Sequence, residues 1–543
     1  MSLPAISRNN TIILYKLFMY MKKNSKLLSL LSLMFITLCF SGLVSCGDDD
    51  PGDTPTPKQT ISVRSCSITN GTEYEAASLS EVTISYNATV AISNADGILL
   101  NGVKCSAKTS GTTAMDVIIT LPALEEGKAY TLNIAEGAIV SKTDAKVKAP
   151  AYSVSFTTKA APQPINNDAT ALTKKLGWGW NLGNHFDTSS GEDGVHPQWG
   201  YWDNATPTQS LYTNLKAAGA STVRMGVTWG NYQDAEWNIE ASYIAEIKQN
   251  VEWAEAAGLN VILNMHHDEY WQNIKEAASN NIVNDQIKDR IAKTWKQIAE
   301  AFKDKGDFLI FESFNEIQDG GWGWGANRTD GGKQYRTLNE WNQLVVSTIR
   351  ATGGNNATRW IGVPAYASSP AFAVDDNFVL PTDPANRIMV SVHFYDPSNF
   401  TLTPEGNNGL SEWGHTAAAG KADPNSNEDH VVETFKKLQE KYIANNIPVY
   451  VGEYGCVMHN TDRSNLFRNY YLEYVCRAAH TYNLPVIIWD NNVAGGGNEH
   501  HGYFNHNDGT YLNDSEPLVK AMIKATTSDD ASYTLESVYN KAP

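Results

Sequence analysis

Phe308-Leu309-Ile310-Phe311-Glu312-Ser313-Phe314-Asn315-Glu316 is a short apolar run that ends in polar and acidic side chains, and seven other stretches share its form. They are residues 176–184, 222–229, 260–268, 359–366, 387–395, 448–455 and 485–491. Between them lie amphipathic stretches of helical length, as where Ile287, Ile291, Trp295, Ile298 and Phe302 repeat at helical spacing. Thr206 followed by Pro207 has the form of an N-cap with proline at the first helical position, which predicts a helix ending near Gly219. Strand and helix alternating eight times predicts an α/β fold, a TIM (β/α)8 barrel. A doubly wound open sheet would also alternate, but no glycine-rich phosphate loop follows any of the runs.

In such a barrel the C-terminal ends of the strands form the active site. Run two carries Arg224, and run three ends in Asn264-Met265-His266-His267-Asp268. Run six ends in His393-Phe394-Tyr395-Asp396, run seven in Gly452-Glu453-Tyr454-Gly455 and run eight in Trp489-Asp490-Asn491-Asn492. One strand-end Glu or His alone is compatible with a solvated or core residue. Barrel geometry makes so many of them converge on one cleft. Acetal hydrolysis needs two carboxyl groups from different strands, one to protonate the leaving oxygen and one to attack or to activate water. Runs four and seven supply Glu316 and Glu453.

The motifs Asn315-Glu316 and Gly452-Glu453 resemble the signature of glycoside hydrolase family 5, and the resemblance extends over residues 170–525. It implies a retaining double displacement with Glu316 as acid/base and Glu453 as nucleophile. It also implies that Arg224 and Tyr395 support Glu453, that His393 tunes Glu316 and that Asn315 holds the sugar 2-hydroxyl. His266, His267, Trp489 and Asn181 are the implied substrate contacts, and Trp324, in the insert described below, is a further candidate. Adjacent histidines on a strand point oppositely, so one of the pair is available to support the barrel. The stretches 177–184, 264–267 and 489–492 look like those of broad endo-β-1,4-glucanases, some of which prefer xyloglucan. Two departures stand out: Ile317 follows Glu316 where proline is usual, and Gly226 stands where many relatives carry proline. The insert Gly320-Gly321-Trp322-Gly323-Trp324-Gly325 reads as a mobile loop over the cleft, with glycine for freedom and tryptophan for sugar stacking.

His266, His267, Asp268 and His393 also raise the question of a metal. The His-x-His spacing of metal-dependent amidohydrolase barrels is absent from run one, which reads Trp180-Asn181-Leu182-Gly183-Asn184, so neither a metal nor a cofactor is expected. The formal charge of −17 argues against nucleic acid as a partner, because phosphate contacts need clustered Lys and Arg.

Residues 1–46 read as a leader. Lys22, Lys23 and Lys26 precede an apolar run from Leu27 to Phe40, with Met21 the expected start. Leu43-Val44-Ser45-Cys46 resembles a bacterial lipobox, which implies lipidation of Cys46; an ordinary signal peptide is the alternative. Asp48, Asp49 and Asp50 are similar to the acidic export signal of Bacteroidetes surface lipoproteins. The expected organisation is a linker at 47–60, an all-β Ig-like sandwich at 61–158, a linker at 159–167, the catalytic barrel at 168–530 and a tail at 531–543. The sandwich rests on short alternating segments such as Val82-Thr83-Ile84-Ser85-Tyr86, and residues 121–130 and 155–158 resemble bacterial Ig-like domains. All 15 Trp lie at or beyond Trp178, which favours a spacer over a sugar-binding module. Cys66 and Cys105 fall in this domain, where a disulfide and buried free thiols are both compatible with the sequence.

The expected protein is therefore an exported monomeric hydrolase at the cell surface, touching the membrane only through its lipid and cutting β-1,4-glucan. A mannanase or xylanase on the same fold, and a glycan-binding lipoprotein built on an inactive barrel, are the alternatives.

Overall fold

The computed structural model describes residues 60–543 apart from 75, 77–78, 111–113, 160–166, 190–200 and 407. The leader, Cys46 and most of both linkers lie outside the described residues. Two compact units are present, one ending at Thr157 and the other comprising Thr158–Pro543 with the short stretches Glu75–Ser78 and Leu124–Lys128.

The second unit is a closed barrel of eight strands. These are β1 (Trp178–Leu182), β2 (Thr222–Met225), β3 (Asn260–Asn264), β4 (Leu309–Glu312), β5 (Ile361–Pro364), β6 (Ile388–Phe394), β7 (Val449–Tyr454) and β8 (Val486–Ile488). Each pairs in parallel with its neighbour, and β8 closes on β1. Every one of the eight apolar runs holds one strand. Leu176 and the strand residues Ile262, Ile310, Met389, Tyr450 and Ile487 form a buried cluster of their own. Their neighbours two residues on, such as Glu312 after Ile310, point to the same side of their strands but toward the C-terminal rim. Tyr450 joins the two levels, donating its hydroxyl to Glu312 Oε2 at 2.7 Å. Gly362 on β5 makes room for that hydroxyl, since a Cβ there would overlap it.

The helices outside the strands carry the amphipathic stretches read from the sequence; Asn281–Phe302 buries Ile287, Ile291, Trp295, Ile298 and Phe302 on one face. The helix expected after Thr206 begins later, at Gln209, with Thr208 at the N-cap position. Thr208 Oγ1 donates to the Asn507 carbonyl at 2.8 Å, so this hydroxyl ties two loops together and caps nothing. Gly219 ends the helix at φ 110°, as its position suggested. Residues 531–543, read as a tail, instead carry a helix at Leu535–Tyr539, with Val538 buried and Tyr539 stacked on His415 at 3.7 Å.

The first unit is all-β. A four-stranded sheet orders Val63–Cys66, Glu81–Tyr86, Asp116–Thr120 and Ser106–Ser110 side by side. A five-stranded sheet orders Thr72–Tyr74, Tyr152–Thr158, Ala129–Ile134, Ile98–Leu100 and Val103–Lys104. Alternate residues are buried, Val82, Ile84 and Tyr86 in one sheet and Val154 and Phe156 in the other. Cys66 and Cys105 are free thiols, as are Cys456 and Cys476, so the disulfide compatible with the sequence is not formed.

Candidate active site

Strand register brings the polar groups together at the C-terminal rim. Asn181 on β1 lies beside Arg224 on β2, and Asn264 on β3 lies beside Glu312 on β4. A register shift after Val392 sets His393 on β6 opposite Glu453 on β7. Asn315 and Glu316 follow within four residues of the end of β4, and Ser368 Oγ holds the Asn315 carbonyl by a hydrogen bond.

Arg224 is the centre of this arrangement. Its guanidinium is sealed from solvent and makes five hydrogen bonds. Nε and Nη2 bind both oxygens of Glu312 at 2.9 and 2.8 Å. Nη1 reaches Glu453 Oε1 at 2.8 Å and Asn181 Oδ1 at 3.0 Å, while Nη2 also donates to Asn315 Oδ1 at 2.8 Å. Glu312 is a site residue that the strand-end pattern alone does not single out. Burial raises its pKa, but the Arg224 charge and its hydrogen bonds outweigh burial and hold the carboxyl below its usual range. The available signal was a carboxylate inside an apolar strand, where an unpaired charge cannot stay.

Glu316 faces a different environment. One of its oxygens lies 2.6 Å from His393 Nδ1, and burial above all pushes its carboxyl up to about 7. The nearby Glu269 and Glu312 charges raise it further, while His267 and Arg224 oppose them. Burial likewise pushes His393 down to about 4, so below about pH 7 Glu316 keeps a proton that it shares with a neutral His393 across their contact. Glu453 is also raised, by burial first, with His393 and Arg224 pulling the other way. The 2.8 Å Arg224 contact falls on Glu453 alone of the two, and Tyr395 donates to its other oxygen at 3.1 Å. The shared proton therefore belongs with Glu316. One carboxylate oxygen each of Glu316 and Glu453, together with a His393 ring nitrogen, lie within 4.8 Å of one another.

The remaining expected residues divide. His266 is buried, accepts from Asn264 Nδ2 through its Nδ1 at 3.1 Å, and stacks on the Trp489 ring at 5.8 Å and 12°. His267 points the other way, one third exposed, 3.6 Å from Glu269 Oε2. Hydrogen bonding and charge from Glu269 outweigh burial and raise its pKa to about 9. Asp187, unread in the sequence, brings a carboxylate oxygen within 4.8 Å of both histidines. Asn181 does not face the cleft. It is wholly buried, and its amide donates to the Gly452, Ile487 and Ile488 carbonyls at 2.9, 3.2 and 3.1 Å, so it braces Arg224 instead of meeting a sugar. Gly226, the departure noted beside Arg224, leaves space for His266, whose Nδ1 would lie 2.5 Å from a Cβ there.

The Gly-Trp loop after β4 is held, contrary to the expected mobility. Asp319 accepts from the Gly321 and Asn327 amides at 3.1 and 3.2 Å and from Gln334 Nε2 at 3.3 Å. Side chains on Gly323 or Gly325 would overlap Phe372 or the Asp319 carboxylate, so these glycines serve close packing. Trp324 is 81% exposed, backed on one face by the Arg328 guanidinium at 4.7 Å.

Glu312→Gln takes the bidentate partner from a buried arginine. It should destabilise the barrel by about 3–5 kcal/mol, read as an earlier urea unfolding transition; an unchanged midpoint would show that Glu453 alone balances Arg224.

The comparisons agree with this geometry. Residues 183–495 match the family model described as cellulase, glycosyl hydrolase family 5. Endoglucanase A of Paenibacillus barcinonensis is 33% identical over 370 residues, covering 64% of this chain and 88% of the relative. A xyloglucan-specific endo-β-1,4-glucanase of Bacteroides ovatus is 32% identical over 405 residues, 71% of this chain and 78% of the relative. Among solved structures, a broad-specificity endoglucanase from Bacteroides salanitronis superposes with a TM-score of 0.63 at 44% identity, covering 67% of this chain and 97% of that one. With the barrel, the paired carboxyl groups and the family model in agreement over more than half its length, the chain belongs to glycosyl hydrolase family 5.

Proposed function

We propose that this protein is an endo-acting, retaining β-1,4-glucanase that cuts cellulose-type, mixed-linkage or xyloglucan backbones, with Glu316 as acid/base and Glu453 as nucleophile. The observation that carries the mechanism is the approach of the Glu316 and Glu453 oxygens to within 4.8 Å. Retaining enzymes hold these groups about 5–5.5 Å apart, whereas inverting ones leave about 6.5–9.5 Å for a water. Glu316, with its raised pKa, protonates the leaving oxygen while Glu453 attacks the anomeric carbon and releases the cut chain. Glu316 then takes a proton from water, which hydrolyses the glycosyl ester and restores both groups. Tyr395 and Arg224 orient Glu453 for attack. Asn315, whose oxygen is taken by Arg224, offers its amide to the sugar 2-hydroxyl, and Trp489 stacked on His266 supplies a flat face for the pyranose.

The glucan reading draws on the endoglucanase and xyloglucanase relatives, which favour it over mannan or xylan. A glycan-binding protein would have no need of the complete reacting set around Arg224. Trp324 lies on the segment that leaves Glu316, and the acid borders the leaving-group half of the cleft, so this indole is suited to the chain beyond the scissile bond. The exported, lipid-anchored state through Cys46 and the Ig-like spacer rest on the sequence alone, as does the monomeric state.

Reducing-end release from barley β-glucan, carboxymethylcellulose, xyloglucan, xylan and mannan tests the reading. The glucans should be cut internally, and Glu316→Ala should slow native-glucan hydrolysis by roughly 10²–10⁴-fold, with Glu453→Ala at least as severe. Binding without cleavage by the native protein would support the inactive-barrel alternative. The acid must be protonated in the free enzyme, so kcat/KM should fall as pH rises through about 7. His267→Asn removes a cation that lowers the Glu316 pKa and should move that limb to higher pH. Trp324→Ala should lower kcat/KM on polymer by about tenfold, the equivalent of one stacking contact, while leaving an aryl cellobioside unaffected; equal losses on both would remove the indole from the leaving-group side.

A further inference from the structure

A chain of buried ionisable groups joins the segments after β1 and β8 and takes no part in the proposed bond cleavage. His506 stands between two carboxylates, with Nδ1 2.8 Å from Asp203 Oδ2 and Nε2 3.3 Å from Asp490 Oδ1. All three side chains are sealed from solvent. Asp203 Oδ1 also lies 3.0 Å from His185 Nδ1 and accepts the Ala205 amide at 3.0 Å. Asp490 Oδ2 accepts the Trp180 indole N–H at 2.8 Å and the Tyr503 and Phe504 amides at 3.1 and 2.8 Å. An imidazole with a carboxylate oxygen at each nitrogen donates twice only when it carries both protons. His506 is therefore an imidazolium, a charge that burial would forbid without the carboxylates on either side.

Both ends of this chain reach the Trp489–His266 stack. At one end Asp490 follows Trp489 directly, and its carbonyl accepts the Gly183 amide at 2.9 Å while the Trp489 backbone amide donates to the Tyr454 carbonyl at 2.8 Å. At the other end Asp203 N–H donates to the Asn184 carbonyl at 2.8 Å, and Asn184 N–H donates to Asp187 Oδ2 at 3.0 Å. That same Asp187 oxygen stands 4.0 Å from His266 Nε2. Asn492 adds a cross-tie, accepting the His506 amide at 3.1 Å and donating to the Asp203 carbonyl at 3.1 Å. Trp489 and His266 are the two stacked rings.

We propose that Asp203, His506 and Asp490 form a positioning relay, which in its charged form holds the Trp489–His266 stack in the geometry that receives the glucan. The inference rests on the β-glucanase reading for its ligand. The ionisable groups facing the His506 ring are Asp203 and Asp490, with His185 behind Asp203, and the Trp180 indole packs edge-on at 4.9 Å. Burial opposes the charge on His506, but the hydrogen bonds to Asp203 and Asp490 outweigh it and raise its pKa to about 9. A histidine raised in the folded state stabilises fully below its ordinary value of about 6.5. That contribution is lost as pH rises through about 9.

The test uses the full chain carrying Glu316→Gln, so that cellotetraose is bound and not cut, with affinity measured by calorimetry from pH 6 to 10. The relay predicts constant affinity up to about pH 8 and a reversible loss of about tenfold or more through about 9, a displaced ring being costly to binding. His506→Gln on the same background should bind about tenfold more weakly at pH 7 and lose the transition. A transition that survives in His506→Gln belongs to His267, which also titrates near 9, and overturns the relay. Flat affinity in the parent overturns it as well. Near-UV circular dichroism of the ligand-free parent should show an indole change over the same range, and its absence would refute the relay. Failure of cellotetraose to bind at any pH, with that dichroic change present, would count against the glucan reading and leave the relay supported.

Discussion

The Arg224 guanidinium is the constraint on which the rest of the site depends. A buried cation is tolerated only with good partners, and Arg224 has two carboxylates and two carboxamide oxygens arranged around it. Four strands or strand ends must be in register for those partners to meet. The closed barrel provides that register, and the apolar cluster below, joined through the Tyr450 hydroxyl, fixes its height. Glu312 takes the bidentate contact, so Arg224 is already neutralised before it touches Glu453. The remaining contact orients Glu453 without quenching it as a nucleophile.

The same arrangement separates two chemically identical carboxyl groups. Glu453 is buried, Glu316 largely so, and both are pushed up, but only Glu453 has the arginine and the tyrosine hydroxyl. Glu316 has a neutral histidine instead. Below about pH 7 one proton thus sits on the acid, while the arginine and the tyrosine hydroxyl favour the ionised nucleophile, which is the starting state of a double displacement.

Much of this was legible in the sequence, for identifiable reasons. A buried parallel strand is an apolar run, so all eight strands could be read, and polar residues that end such runs must lie on one rim. Glu316, Glu453, Arg224, Asn315, His393 and Tyr395 come together as the runs implied. What could not be read depends on neighbours distant in the chain. Asn181 looks like any strand-end amide until the Gly452, Ile487 and Ile488 carbonyls are seen to occupy it. The glycines at 323 and 325 suggest freedom, yet Phe372 and Asp319 show that they permit close packing. Thr208 stands at the helix start in place of Thr206 with its hydroxyl bound to the Asn507 carbonyl, a contact across a separation of 299 residues that the local sequence does not show. Glu312 and the His506 relay are the same lesson for charge: a titratable group inside the core acquires meaning only from the group that balances it.

The central claim is that Glu453 forms a covalent bond to the sugar. Incubation with an activated 2-deoxy-2-fluoro-cellobioside, followed by proteolysis and mass spectrometry, tests it directly, because the fluorine slows both formation and hydrolysis of the intermediate while the good leaving group speeds formation alone. A single added 2-deoxy-2-fluoro-cellobiosyl mass is expected on the peptide carrying Glu453. A label on any other residue, or turnover with inversion and no label at all, would contradict it.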